Sequence, residues 1–226
     1  MPSGFNHKAA QDYELKSAEG TIHEHFPRVY AEWLACKKKG QLWQSPREWL
    51  KDDDAYNAFV EFARVRKCVE VGAGPFGFLP LCDWIKDRTV IDPLADDYRR
   101  IELEMTGHTF YTDDVKRYSQ NAETFIPELK GAVTGAIISR NAIDHSDDPL
   151  TILYNFAQYA APGCYLLFWS EIWHLNGCDE GHRNITKTPA AIEALLTGLG
   201  FELKTPGGYQ LNNPGLVDYG CVARKK

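Results

Sequence analysis

The chain has 226 residues, of which 44% are hydrophobic and 25% are charged, and its formal net charge at pH 7 is -6. These values are typical of a globular domain and exclude low-complexity disorder and collagen-like repeats. The acidic balance argues against a protein that binds nucleic acid through a broad basic surface. No apolar run approaches the roughly 18 residues of a membrane span, so we expect no membrane partner.

Two further features bear on the cellular compartment. The N-terminal residues lack the long apolar stretch of a secretory signal. The six cysteines are scattered along the chain and form no C-x-x-C pair. We therefore expect reduced thiols and a cytoplasmic location.

Residues 1–66 are predicted to form a helical cap segment. Apolar residues recur at helical spacing over residues 27–39, and Gly40 can end that helix in a left-handed conformation. A capping box at residues 45–48 predicts a second helix, which residues 52–54 interrupt or re-cap. The segment is rich in aromatic side chains, which favours a lid over a binding pocket; packing on the sheet edge is the alternative.

Residues 67–226 are predicted to form an α/β domain, because short apolar strands alternate with helices. Asp148-Pro149 and Thr188-Pro189 are typical helix starts. No helix separates the last two strands, so a hairpin would end an otherwise parallel sheet. The predicted strands cover residues 68–71, 89–91, 115–119, 133–139, 165–169, 201–204 and 217–222.

A glycine-rich turn follows the first of these strands. Gly72, Gly74 and Gly77 satisfy the pattern G-x-G-x-x-G, and Asp92 ends the next strand 20 residues beyond Gly72. Glycines let a ligand touch the backbone, and a carboxylate at that position can accept hydrogen bonds from both hydroxyls of an adenosine ribose. The glycine turn and the acid Asp92 together predict a cofactor that contains adenosine.

Two cofactors share this geometry, namely NAD(P) and S-adenosylmethionine. Glu70 ends the first strand, where a carboxylate would complement the ammonium and sulfonium of S-adenosylmethionine but not a pyrophosphate. Some 66 residues precede that strand, and the hairpin at the end is unexpected for a plain dinucleotide domain. These features favour S-adenosylmethionine, with an NAD(P)-dependent oxidoreductase as the alternative.

The sequence resembles the class I S-adenosylmethionine-dependent methyltransferases, especially the small-molecule branch called type 11. The resemblance extends over about residues 67–224. Residues 70–74 resemble the E-x-G-x-G motif, Asp92 resembles the ribose acid, and residues 121–125 resemble the stretch that faces adenine. Residues 140–149 resemble the segment after the fourth strand, and residues 179–182 with Gly200-Phe201 resemble the end of the family domain.

This resemblance implies a Rossmann-like fold with helices on both faces of a seven-stranded sheet. The implied strand order is 3-2-1-4-5-7-6, with one antiparallel strand. Asp114-Val115 is an alternative for the adenine contact, and Thr134-Gly135 departs from the phenylalanine-aspartate pair usual at the fourth strand. The residues assigned to the cofactor are Glu70, Gly72, Ala73, Gly74, Gly77, Asp92, Pro93, Asn121, Ala122, Glu123, Arg140 and Asn141.

The same reading assigns candidate catalytic residues. Methyl transfer to an oxygen requires a general base for the hydroxyl proton, and histidine is suited to that role. His145 follows the fourth strand and is the first candidate, with His182 after the fifth strand as the second. Asp144 is either a third catalytic residue or a group that orders the loop. A hydrogen bond at the entry of the next helix is the alternative for His145, and a surface or capping role is the alternative for His182.

A metal site is not predicted. His145, His174, Asp179 and His182 could be combined as ligands, but their spacing matches neither a helical histidine pair nor a cysteine–histidine site.

The sequence thus predicts a methyltransferase for a small molecule, most simply an O-methyltransferase. A sugar of a surface glycan, a phenol and a quinone precursor remain open as acceptors. A non-catalytic partner subunit with the same fold is a further alternative, and the sequence leaves the oligomeric state open.

Overall fold

The structure is a computed structural model that describes residues 7–42, 50–174, 182–208 and 216–226. The predicted capping box at residues 45–48 lies outside these ranges, as does Asp179.

Within the described residues, seven strands form one sheet in the order β3-β2-β1-β4-β5-β7-β6. Strand β7 runs antiparallel to both β5 and β6, and the other neighbouring pairs are parallel. The predicted order and the single antiparallel strand are confirmed. The strands are β1 Lys67–Val71, β2 Asp87–Ile91, β3 Val115–Tyr118, β4 Ala136–Arg140, β5 Tyr165–His174, β6 Phe201–Gly208 and β7 Leu216–Lys225.

Local capping interactions begin several of the helices. The side chains of Asp52, Asp148 and Thr188 each accept a hydrogen bond from a backbone N–H in the first turn. The predicted helix starts at Asp148 and Thr188 are confirmed, and Asp52 caps the helix that follows it. The helices are α1 His7–Lys38, α2 Asp53–Ala63, α3 Phe78–Leu81, α4 Ala95–Thr106, α5 Pro149–Tyr159 and α6 Pro189–Gly198.

Helix α1 is much longer than the helix predicted over residues 27–39, because it runs through Pro27. Proline removes one backbone hydrogen bond and disfavours a helix interior. Packing compensates for this cost: Ile22 and Phe26 are buried, and the ring of Phe26 lies 4.8 Å from that of Phe110. Tertiary contacts therefore override the local signal that the sequence analysis used.

The sheet is covered on both faces. Ile137 and Phe168 belong to one buried cluster, whereas Ile138 and Leu167 belong to another. Successive residues of a strand point to opposite faces, so a strand buried on both sides is apolar throughout. This explains the continuous apolar strands of the sequence, and it leaves the carboxyl edge of the sheet as the place where polar groups can gather.

Two observations on the described residues concern membrane-spanning helices and cysteines. Among the described helices, none combines the length and the apolar character that crossing a membrane requires. Cys36, Cys68, Cys82, Cys164 and Cys221 are free thiols.

The departure at Thr134-Gly135 has a packing explanation. The Gly135 amide donates to the Lys67 carbonyl, and the Gly135 carbonyl accepts from the Tyr165 amide. A β-carbon at Gly135 would lie 2.7 Å from the Cys68 sulfur and 2.9 Å from the Lys67 carbonyl oxygen. The backbones beside β1 and β4 therefore approach too closely for any side chain at this position.

We expect Gly135→Ala to lower the free energy of unfolding by about 1–3 kcal/mol, because the new methyl group overlaps backbone that cannot move freely. Urea unfolding measures the change. Gly198→Ala is the matched control, since nothing lies within 4 Å of its β-carbon position. The control should change stability by less than about 1 kcal/mol. Equal effects of the two substitutions would contradict this account of Gly135.

Candidate active site

A cavity of about 200 Å³ opens at the carboxyl ends of β1, β2 and β4. Strands β1 and β4 are neighbours, but the chain continues from β1 to β2 and from β4 to β5, which lie toward opposite edges of the sheet. Open α/β sheets bind ligands at the point where the strand order reverses in this way. The lining residues are Gln11, Glu14, Val71, Gly72, Gly74, Ile91, Asp92, Pro93, Tyr98, Asn121, Ala122, Glu123, Asn141, Ala142, Ile143, His145, Ser146 and Ile152.

The turn after β1 forms one wall of the cavity. Gly72 has a φ of +68°, and a β-carbon there would lie 2.1 Å from the β-carbon of Ala142. Both the backbone conformation and this close approach require glycine. The turn is fixed further by Tyr111, whose hydroxyl donates to the Gly74 carbonyl.

Asp92 joins this turn to the end of β2. One of its carboxylate oxygens accepts from the Gly74 amide at 3.0 Å, and the other accepts from the Leu94 amide at 2.9 Å. Burial raises the pKa of Asp92 to about 6, although these amide bonds act in the opposite direction. A carboxylate offers about four acceptor positions, so acceptor capacity remains for a ligand in the cavity.

Glu70 lies outside the residues that line the cavity, so the lining gives no support to the direct cofactor contact predicted for it. Its two oxygens accept from the amides of Phe78 and Leu79 at 2.9 and 2.7 Å. Glu70 therefore accepts hydrogen bonds from the first backbone amides of α3, which have no acceptor within the helix. Burial raises its pKa to about 7, and the neighbouring Asp92 carboxylate contributes in the same direction.

The segment predicted to face adenine does line the cavity. Asn121, Ala122 and Glu123 lie on its wall, and the Asn155 amide group donates to the carbonyls of Ala122 and Glu123. The alternative, Asp114, lies outside the lining and pairs with Arg88. The structure thus favours the first of the two assignments.

Three other residues assigned to the cofactor also lie outside the lining. Ala73 packs against the buried cluster that contains α2, and Gly77 directly precedes α3, where a β-carbon would meet that of Ala73 at 2.6 Å. Arg140 is exposed at the end of β4. Asn141 does line the cavity, and its φ of +47° places it among the strained conformations that cluster at functional sites.

The sequence analysis predicted a lid from residues 1–66 but did not identify which of its residues line the cavity. Gln11 and Glu14 line the cavity, and the Gln11 side-chain amide donates to the Asn121 side-chain oxygen at 3.3 Å. Burial raises the pKa of Glu14, while His145 and His182 act to lower it. No sequence signal pointed to these two residues, because the helix was predicted to begin only at residue 27.

The predicted catalytic residues lie together but face different surroundings. His145 lines the cavity, and its Nδ1 lies 4.0 Å from a Glu14 oxygen. Asp144 is fully buried, with Oδ1 accepting from the Ser170 hydroxyl at 2.9 Å and Oδ2 3.7 Å from His145 Nε2. His182 does not line the cavity; its ring lies 4.3 Å from that of His145. Asp144 therefore lies beside His145 and is not part of the cavity lining.

No protein-family model matches the sequence, and the comparison with curated proteins gives no match either. Solved structures do match. The trans-methyltransferase CalH in complex with SAH superposes with a TM-score of 0.54 at 18% identity, covering 75% of this chain and 54% of CalH. This chain has the Rossmann-like fold of the class I methyltransferases.

Two further structures with this fold differ in length and reaction. An S-adenosylmethionine-dependent methyltransferase from Mesorhizobium loti has a TM-score of 0.53 at 12% identity, covering 78% of this chain and 100% of its own. The [4+2]-cyclase SpnF has a TM-score of 0.54 at 14% identity, and the match covers 76% of this chain and 81% of SpnF. The fold therefore serves more than one reaction.

We expect Glu70→Ala to lower the free energy of unfolding by about 2–4 kcal/mol, because the substitution leaves two buried amides without an acceptor. Glu70→Gln keeps one acceptor oxygen and should cost less. Urea unfolding of both variants beside the wild type measures the difference. A Glu70→Ala variant as stable as the wild type would show that α3 does not depend on this carboxylate.

Proposed function

We propose that this protein is a methyltransferase that uses S-adenosylmethionine to methylate an oxygen of a small molecule. The main support is that the Gly72 turn and the Asp92 carboxylate line one cavity at the carboxyl edge of this sheet. CalH, with the same fold, was solved with SAH, and the Mesorhizobium loti structure is an S-adenosylmethionine-dependent methyltransferase. Reduced thiols support a cytoplasmic location for the reaction.

Each part of the donor would find a suitable group on the cavity wall. Asp92 would accept hydrogen bonds from the ribose hydroxyls, and the segment Asn121 to Glu123 would face adenine. Glu14 takes the place that the sequence analysis gave to Glu70, since it is a carboxylate within the lining that can complement a positively charged ligand.

The catalytic chemistry falls to His145. When bound, the donor supplies an activated methyl group, whose bond to sulfur breaks as the bond to the acceptor oxygen forms. His145 accepts the proton that the acceptor hydroxyl loses. Helix α1, through Gln11 and Glu14, covers part of the cavity and helps to exclude water.

The cavity fits the alternative cofactor NAD(P) less well. Glu14, Asp92 and Glu123 place three carboxylates on its wall. A pyrophosphate carries negative charge and would be repelled there, whereas the sulfonium and ammonium of S-adenosylmethionine would be attracted. Charge in the lining therefore favours S-adenosylmethionine over NAD(P), a choice that the glycine turn alone leaves open.

Calorimetric titration tests the donor. We expect micromolar affinity for S-adenosylmethionine and no binding of NAD. Asp92→Ala should weaken donor binding by about 1–3 kcal/mol, because a charge-assisted hydrogen bond is lost. Asp113→Asn is the control, since Asp113 is exposed, pairs with Arg99 and lies outside the cavity lining. Binding of NAD with none of S-adenosylmethionine would refute the proposal.

The pH dependence of binding checks the role of Asp92 separately. Ribose hydroxyls favour the ionised carboxylate, so binding lowers the pKa of Asp92 below its value of about 6 in the free protein. Affinity should therefore rise as pH increases toward 6 and then level off. Asp92→Asn should remove this part of the pH dependence, and an unchanged profile in that variant would assign it to another group.

His145→Gln should lower kcat by about 10²–10⁴-fold while leaving donor affinity unchanged, because general-base catalysis is lost but the donor contacts remain. Release of S-adenosylhomocysteine in a panel of hydroxyl-bearing acceptors provides the assay. His108→Gln is the control, since His108 is exposed and stacks on Tyr30. Wild-type turnover by the His145 variant would exclude this residue as the base.

A further inference from the structure

Three of the seven histidines, His145, His174 and His182, lie close together at one wall of the cavity. The ring of His182 lies 4.3 Å from that of His145 and 4.9 Å from that of His174. A carboxylate oxygen of Asp144 lies 3.7 Å from His145 Nε2, and one of Glu171 lies 3.5 Å from His174 Nε2. We call these five residues the histidine cluster. Only His145 belongs to the cavity lining, so the cluster extends well beyond the site described above.

Two buried atoms of the histidine cluster have no hydrogen-bond partner among the residues that the structure describes. They are Oδ2 of Asp144, whose residue is fully buried, and Nε2 of His174, whose residue is 9% exposed. Buried polar atoms are normally partnered, and an unpartnered one costs free energy. Both atoms belong to one group, Asp144, Glu171 and His174, whose ligand atoms all lie within 4.8 Å of one another.

One distance within this group matches the separation of two ligands on a metal ion. Two ligand atoms at about 2.1 Å from a tetrahedral zinc ion lie about 3.4 Å apart. The His174 Nε2 to Glu171 Oε2 distance is 3.5 Å, which matches that separation. Imidazole nitrogen and carboxylate oxygen are the donors that first-row divalent ions accept.

Neighbouring groups hold the candidate ligands in place. The Ser170 hydroxyl donates to Asp144 Oδ1, which leaves Oδ2 directed into the cluster. The Arg183 amide donates to the Asp144 carbonyl at 2.6 Å, and the Asn184 side-chain oxygen accepts from the His174 amide at 2.7 Å. Such supporting bonds orient the ligands of known metal sites.

The charge balance points in the same direction. The Asp144 and Asp218 side chains are buried, and a Glu171 oxygen lies within 4.8 Å of an Asp144 oxygen. Several acidic groups thus share a poorly hydrated region. A bound cation would stabilise their ionised forms.

We propose that the histidine cluster binds one divalent transition-metal ion, with Asp144, Glu171 and His174 as ligands. Zinc and cobalt fit this donor set. The sequence analysis predicted no metal because Asp144 follows β4 whereas Glu171 and His174 lie within β5, so the three ligands form no local motif. His145 and His182 lie on the side of the group toward the cavity, so the ion would be placed behind the wall that His145 forms.

Cobalt titration of the metal-free, untagged chain at pH 7.5 tests this proposal. We expect saturable binding of one Co²⁺ per chain, with visible ligand-field absorption, and displacement by one equivalent of Zn²⁺. His174→Gln and Glu171→Gln should each weaken binding at least about tenfold, because each removes a ligand. His108→Gln, an exposed histidine outside the cluster, should bind as the wild type does.

The titration of the wild-type chain needs no variant, so it decides the question even where a variant fails to fold. Absence of saturable binding to the wild type would overturn the proposal. Equal binding by the wild type and both ligand variants would overturn it too, since the ion would then sit elsewhere on the protein. No donor or acceptor is present in these experiments, so their outcome is distinct from that of the methyl-transfer tests.

Discussion

The hydrogen bond from the Gly74 amide to the Asp92 carboxylate ties the turn after β1 to the end of β2. The approach of Gly72 to Ala142 ties the same turn to the segment after β4. These two contacts determine the shape of the cavity, because its walls come from all three strand ends. The turn can take this form only because its backbone is glycine and its amide finds a buried acceptor.

Two buried carboxylates serve this turn in different ways. Glu70 uses both oxygens to hold the start of α3, whereas Asp92 retains acceptor positions toward the cavity. Burial raises the pKa of both acids, so the fold bears an electrostatic cost at this edge. A positively charged ligand would offset that cost, which connects the stability of the turn to the proposed function.

Sequence reasoning found the sheet and much of the cavity, because their signals are local: apolar strands, a glycine turn and an acid at the next strand end. It failed where long-range packing decides. Helix α1 continues through Pro27, which brings Gln11 and Glu14 to the cavity. Glu70 turns toward α3, which a strand-end position alone does not indicate. The approach of His174 to Asp144 depends on the pairing of β4 with β5, and no spacing in the sequence records it.

The most direct test of the proposed function is a crystal structure of the protein with S-adenosylhomocysteine. The account predicts that the ligand occupies the cavity, with its ribose hydroxyls on Asp92 and its adenine against Asn121 to Glu123. An empty cavity at saturating ligand, or a ligand bound elsewhere on the protein, would contradict it.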